Sequence, residues 1–143
     1  MTMSKIMNVM ASAMSAESIR MNIIASNLAN SESIGGSEKE TYRAKHPVFS
    51  EVRQNVQGLL KNEQPVGGVR VTNVIESQKP LEWRYEPNHP LADKQGRIYL
   101  TDVNLVEEMA DMISASRQYQ ASVEVLNTSK SLALQVLRAI SEL

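Results

Sequence analysis

The 143-residue chain contains no cysteine, which excludes disulfides, thiolate metal ligands and cysteine nucleophiles at the outset. Aromatic residues are scarce at 4%: Tyr42, Phe49, Trp83, Tyr85, Tyr99 and Tyr119. Rings dominate burial in ordinary cores, so the apolar area here must be buried by other means. An excess of either charge is also missing: 15 Lys and Arg against 16 Asp and Glu leave a net charge of −1. That balance excludes a polybasic nucleic-acid binder and a strongly charged disordered tail. No apolar run approaches the ~18 residues of a membrane span, so direct membrane insertion is not expected. Asn8, Ser12, Ser15 and Glu17 interrupt the region where a secretory signal would be continuously apolar, so any export is expected without a cleaved signal peptide.

Glycine and proline are missing from both ends. All six glycines lie between Gly35 and Gly96, and all five prolines between Pro47 and Pro90. These are the two strongest helix breakers. The chain therefore reads as α+β in three parts: an N-terminal helix in 1–34, a β-rich middle module with loops in 35–101, and a C-terminal helix in 102–143. The two helices are expected to pack as a coiled-coil-like pair.

In the first part a stripe at helical spacing runs Met3, Met7, Met10, Met14, Glu17, Met21, Ile24, Leu28. Beside it run Ile6, Val9, Ala13, Ala16, Arg20, Ile23 and Asn27. The remaining face carries Ser4, Asn8, Ala11, Ser12, Ser15, Ser18, Asn22 and Ser26, small and uncharged where a solvated helix would show Lys and Glu. Such a helix suits protein on every side. Flexible methionines fill irregular gaps and adapt to non-equivalent neighbours. Asn22, Asn27 and Asn30 are candidates for register-setting polar positions, with a helix C-cap the simpler role for Asn30.

The C-terminal part carries a longer stripe: Leu105, Met109, Met112, Ser116, Tyr119, Val123, Leu126, Lys130, Ala133, Leu137 and Ile140. This heptad-like seam is long enough for coiled-coil-style packing. Asp102 is the expected N-cap, and Glu107, Glu108 and Asp111 are expected to form a solvated acidic helix start. At 1.5 Å per residue, helices over 5–29 and 103–141 span roughly 38 and 58 Å, leaving about 20 Å of the longer seam without a partner in the chain. An unpaired apolar seam predicts association. The helix-packing and assembly residues expected on this basis are Met7, Met10, Met14, Met21, Ile24, Asn27, Leu28, Asn30, Leu105, Met109, Met112, Tyr119, Val123, Leu126, Leu137 and Ile140.

The middle is less legible. Val69, Val71 and Ile75 after a Gly67–Gly68 turn, then Leu81, Trp83 and Tyr85, then Ile98 and Leu100, alternate as short strands of one small β module. Residues 31–40 read as a loop. Val48, Phe49, Val52, Val56, Leu59 and Leu60 fit neither the helical nor the strand period.

Candidate chemistry is sparse. The only histidines, His46 and His89, each precede a proline, which pushes both toward extended backbone. Pro90 lies between His89 and Asp93 and prevents an ordinary i,i+4 pair. There is no G-x-S-x-G elbow and no glycine-rich loop entering a helix. The basic run Arg43, Ala44, Lys45, His46 is too small for specific nucleic-acid recognition. No enzymatic activity, cofactor or metal is expected.

The segment Ala25-Ser26-Asn27-Leu28-Ala29-Asn30 resembles the Asn-rich signature near the start of bacterial flagellar axial proteins, the rod, hook and hook-associated subunits. Three further segments resemble a short rod member of that family: Tyr42–Lys45, Gly67–Val71 and Tyr85–Asp93. The most specific block runs from Asn104 through Tyr119 to Thr128. The resemblance implies a structural subunit of the proximal rod of the basal body, in the periplasmic space, that assembles through its terminal helices with the β module outside. It implies as partners the chain itself, other rod proteins, the basal-body membrane ring and rod-adaptor protein, and the flagellar type III export apparatus that passes it unfolded. The alternative is a coiled-coil adaptor, or a subunit of a related secretion apparatus, forming a closed oligomer.

Overall fold

The computed structural model describes residues 3–53 and 67–141. Val56, Leu59 and Leu60, which followed neither period, lie outside the described residues, as do the side chains of Met3 and Ser4. Helix α1 (Met3–Ala29) opens the chain, followed by β1 (Ile34–Gly35), β2 (Lys45–Arg53), β3 (Gly67–Glu76), β4 (Trp83–Tyr85), β5 (Arg97–Leu100) and α2 (Leu105–Ser141). The α+β plan of two long helices around a β-containing middle is therefore what forms.

The two helices run antiparallel. Arg20 meets Asp111 at 3.0 Å, and seven residues further along α1 Asn27 meets Glu108 at 2.8 Å. At its C-terminus α1 is capped by side chains: Asn30 Nδ2 donates to the Ser26 carbonyl and Ser31 Oγ to the Leu28 carbonyl, both at 2.8 Å. Helix α2 is not capped by Asp102, as the sequence suggested, but by Asn104, whose Oδ1 accepts from the amides of Val106 and Glu107. Asp102 is used elsewhere. Its Oδ1 accepts from the Ala44 amide at 2.7 Å and ties the chain before α2 to the chain before β2.

The middle forms two sheets, not one module. The first has the order β1-β5-β4, antiparallel throughout, with Gly35 opposite Tyr99 and Trp83 on that residue's other side. The segment 31–40 thus contributes a short strand in addition to turns. A Cβ on Gly96 would lie 2.8 Å from the Tyr85 ring, and its backbone φ of 74° is one that side-chain-bearing residues rarely adopt. The second sheet is a β2–β3 ribbon whose register shifts between Val48 and Phe49. That bulge reverses the in–out alternation midway, which is why the sequence pattern of β2 fits no single period.

The ribbon lies on α1. Ser12 Oγ donates to the Val9 carbonyl at 2.7 Å and accepts from the Val69 amide at 3.2 Å. Gly67 and Gly68 do not form a turn; they begin β3, and a Cβ on Gly68 would come within 3.0 Å of that hydroxyl. Part of the uncharged face of α1 is therefore covered by the chain itself. Among the described residues the buried apolar set is thin: Ala16, Ile24, Ala44, Leu81, Ile98 and Ala115.

Candidate assembly surface

The C-terminal end of α1, the segment before β2 and the start of α2 converge on Asn27, which is 1% exposed. Its Nδ2 donates to Glu108 Oε1 at 2.8 Å and to the Lys45 carbonyl at 2.9 Å. Its Oδ1 accepts from Tyr42 Oη at 2.9 Å and from the Lys45 amide at 3.0 Å. All four hydrogen-bonding positions of the amide are filled, as burial demands. Tyr42 Oη also lies 3.1 Å from Ser26 Oγ. Arg43, instead of forming a basic patch, donates from Nη1 to the carbonyls of Ser77 and Lys79 and fastens the ends of the ribbon.

Glu108 belongs to this cluster and not to a solvated helix start, since it is only 6% exposed. Burial holds its carboxyl above the ordinary carboxylate range, while the bond from Asn27 and the charge of His46 pull it partway back. A carboxyl raised in the folded state gives stability that is complete below its unfolded pKa and is lost as pH rises through the folded value. Glu108→Gln keeps the acceptor for Asn27 and removes the buried charge. It is expected to unfold at higher urea than the parent at neutral pH, with the gap closing below about pH 4. Circular-dichroism urea titrations at both pH values read this directly; a less stable Gln variant at neutral pH would contradict it.

Along α2 the buried line is Glu108, Ala115, Ser122, Ser129, one residue per heptad. The seam inside the chain is therefore displaced around the helix from the stripe expected in the sequence. Small side chains allow the two helices to approach closely, and Ser122 Oγ satisfies itself on the Gln118 carbonyl at 3.0 Å. Of the expected stripe, Met112, Ser116, Tyr119, Val123, Leu126 and Ala133 are half-buried beside this line, whereas Leu105, Met109, Lys130, Leu137 and Ile140 are exposed. On α1, Ile24 and Asn27 are buried, and Met7, Met10, Met14, Met21, Leu28 and Asn30 half-buried.

The pairing leaves α2 longer than its partner. The contacts Arg20–Asp111 and Asn27–Glu108 put the start of α1 level with about residue 130, so roughly 16 Å of α2 projects beyond it. On that projection Leu132, Leu134, Val136, Leu137 and Ile140 are all exposed. The outer face of α1 presents Asn8, Ala11, Ser15, Ser18, Asn22 and Ala25, exposed and uncharged. Both surfaces are unlike solvated helix faces and suit close contact with protein.

Among the described residues no group of three or more His, Asp or Glu side chains is placed to hold a metal ion. His89 Nδ1 accepts from the Leu91 amide at 3.1 Å within a turn. Asp93 faces Arg97, not His89: hydrogen bonds from the Arg97 amide, then from the Gln95 amide and the Arg97 side chain, hold its carboxyl below the usual range. Among the described residues no helix is long and apolar enough to cross a membrane.

Two family models match the helical ends of the chain. Flagella basal body rod protein covers residues 7–32, and flagellar basal body rod FlgEFG protein C-terminal covers residues 94–139. Relatives match throughout. The flagellar basal-body rod protein FlgC of Salmonella typhimurium is 45% identical over 137 residues, spanning 96% of this chain and 97% of the relative. FlgC of Escherichia coli O6:H1 shows the same identity and coverage. FlgC of Borreliella burgdorferi is 36% identical over 146 residues, covering 92% and 95% of the two chains. The chain belongs to the FlgC family of flagellar basal-body rod proteins and is a structural subunit of that rod.

Proposed function

We propose that the chain builds the proximal rod by packing α1 and α2 against the helices of neighbouring subunits, copies of itself and other rod proteins, with the two sheets outside. The observation that carries this reading is the projecting end of α2: five large apolar side chains exposed on a helix whose remaining length is paired. Isolated apolar helix faces are marginal in water, and the free energy for ordering them comes from contact with protein. The uncharged outer face of α1 supports the same reading, because lateral neighbours approach closely only where side chains are small. The rod then transmits torque through many close-packed contacts, each resisting shear as a protein interior does. Its role is mechanical, without catalysis.

The position proposed is the periplasmic stretch of the basal body, next to the membrane ring and the rod-adaptor protein, reached through the flagellar type III export apparatus without a cleaved signal. An electron-microscopy map of purified basal bodies tests the reading. It should show this chain as paired helices in the wall of a tube with β density outside. Basal bodies lacking the chain, with the purified protein forming a discrete closed particle, would overturn it in favour of a closed oligomer.

A further inference from the structure

A cleft of about 340 Å³ opens where β2, α1 and the start of α2 meet. Ile24, Pro47 and Phe49 give it an apolar wall. Glu108 lines it as well, although the residue is only 6% exposed. Asn27 occupies Glu108 Oε1 at 2.8 Å, whereas Oε2 has no hydrogen-bond partner among the described residues. Among those residues the carboxylate oxygens sealed from solvent without a partner are Glu17 Oε2 and Asp102 Oδ2, so Glu108 Oε2 keeps access to the cleft.

The carboxylate also lacks a counter-ion. Of the bases lining the cleft, Arg20 is held by Asp111 at 3.0 Å and Glu17 at 3.7 Å. The Lys45 ammonium lies over the Tyr42 ring, 5.5 Å from its centre. His46 favours the charged form of Glu108, but no ion pair to Glu108 forms among the described residues. Glu107 and Asp111 oppose that charge from α2 itself. The acids here outnumber the bases left to answer them. A buried carboxylate with one oxygen bonded and two further acids nearby is costly to leave unpaired.

We infer that the cleft is a socket for one lysine side chain of an adjacent subunit, whose ammonium pairs with Glu108 Oε2 while its methylene stem lies along Ile24, Pro47 and Phe49. The source of the lysine rests on the proposed rod assembly; the socket itself does not. The excess of acid selects a cation. The single free oxygen selects an ammonium over a guanidinium, because an arginine fork takes both oxygens of a carboxylate and Asn27 holds one. The apolar wall selects a side chain over a free ion, since a lysine stem covers apolar surface while its head stays with a polar partner. Glu108 already ties α2 to α1 through Asn27. Filling the socket therefore supplies the missing counter-ion and tightens the helix pair as the neighbour arrives.

Titration of the isolated, isotope-labelled chain by NMR tests the socket, with Nα-acetyl-lysine amide as the probe. Saturable shifts are expected at the amides of Lys45, His46 and Glu108. Nα-acetyl-norleucine amide, which has the stem without the charge, should give none. Glu108→Gln keeps the bond from Asn27 and should weaken the probe at least about tenfold, with its urea unfolding showing that it is folded. Equal binding by that variant, by Nα-acetyl-arginine amide or by methylammonium overturns the inference, as does no saturable binding by the parent. The source of the lysine is read in purified basal bodies, with a benzophenone amino acid in place of Phe49. Adducts are expected on a neighbouring rod subunit, within a few residues of a lysine. Adducts elsewhere, or an incorporated probe without any adduct, overturn the assignment to an adjacent subunit. Absence of the parent chain from basal bodies would instead overturn the rod reading and leave the titration untouched, so the two failures are distinguishable.

Discussion

Leu137→Asp is expected to leave the isolated chain folded and to abolish swimming. Leu137 is 62% exposed, and a substitution at such a site costs the monomer within about 0.5 kcal/mol. In the rod packing proposed above the same side chain is to be covered, and a carboxylate without a partner there would cost several kcal/mol at every subunit interface. Circular dichroism and urea unfolding of the purified variant should match the parent, while motility plates show no spreading and basal-body preparations lack complete rods. Leu126→Asp is the contrast. Leu126 is half-buried between the helices, so its variant should lose monomer stability as well as assembly. Normal swimming with Leu137→Asp would show that the projecting end of α2 is not an assembly surface.

Asn27→Ala should produce the largest loss of stability of any single exchange in the helix pair. It removes four hydrogen bonds at once and strands the Glu108 carboxylate, the Tyr42 hydroxyl and the backbone of Lys45 in a buried site. With a net contribution near 1 kcal/mol per bond, and more for the bond to the carboxylate, the expected loss is roughly 3–5 kcal/mol. The urea midpoint measures it. Asn22→Ala, on the exposed face of the same helix, should change stability by no more than about 0.5 kcal/mol. A loss below about 1 kcal/mol for Asn27→Ala would mean that water replaces the lost partners and that the amide does not hold the three segments together.

Much of the helical part was legible because its signals are local. The absence of Gly and Pro from both ends set the limits of α1 and α2 closely, and the difference in their lengths foretold the projection. The β part was legible only where alternation survives, at β3, β4 and β5. In β2 the bulge between Val48 and Phe49 erased the pattern, and the two-sheet arrangement leaves no trace in spacing. The cap was misassigned because Asp102 and Asn104 are equally good caps by type. The choice was made by the Ala44 amide, 58 residues away, which takes the aspartate.

The sequence by itself determined that this is a helix-ended chain without thiol chemistry, without a membrane-length apolar run and with more apolar helix than it can cover. Those properties follow from composition and from the 3.6-residue period, which neighbouring residues fix among themselves. Only the tertiary structure decided which line of α2 turns inward, that Glu108 is buried against Asn27 from 81 residues away, and which apolar residues remain outside. Burial is a property of what lies opposite. A helical wheel shows that an apolar stripe exists; the partner's shape selects the face it meets, and here small residues won the inner face because they let the two backbones approach.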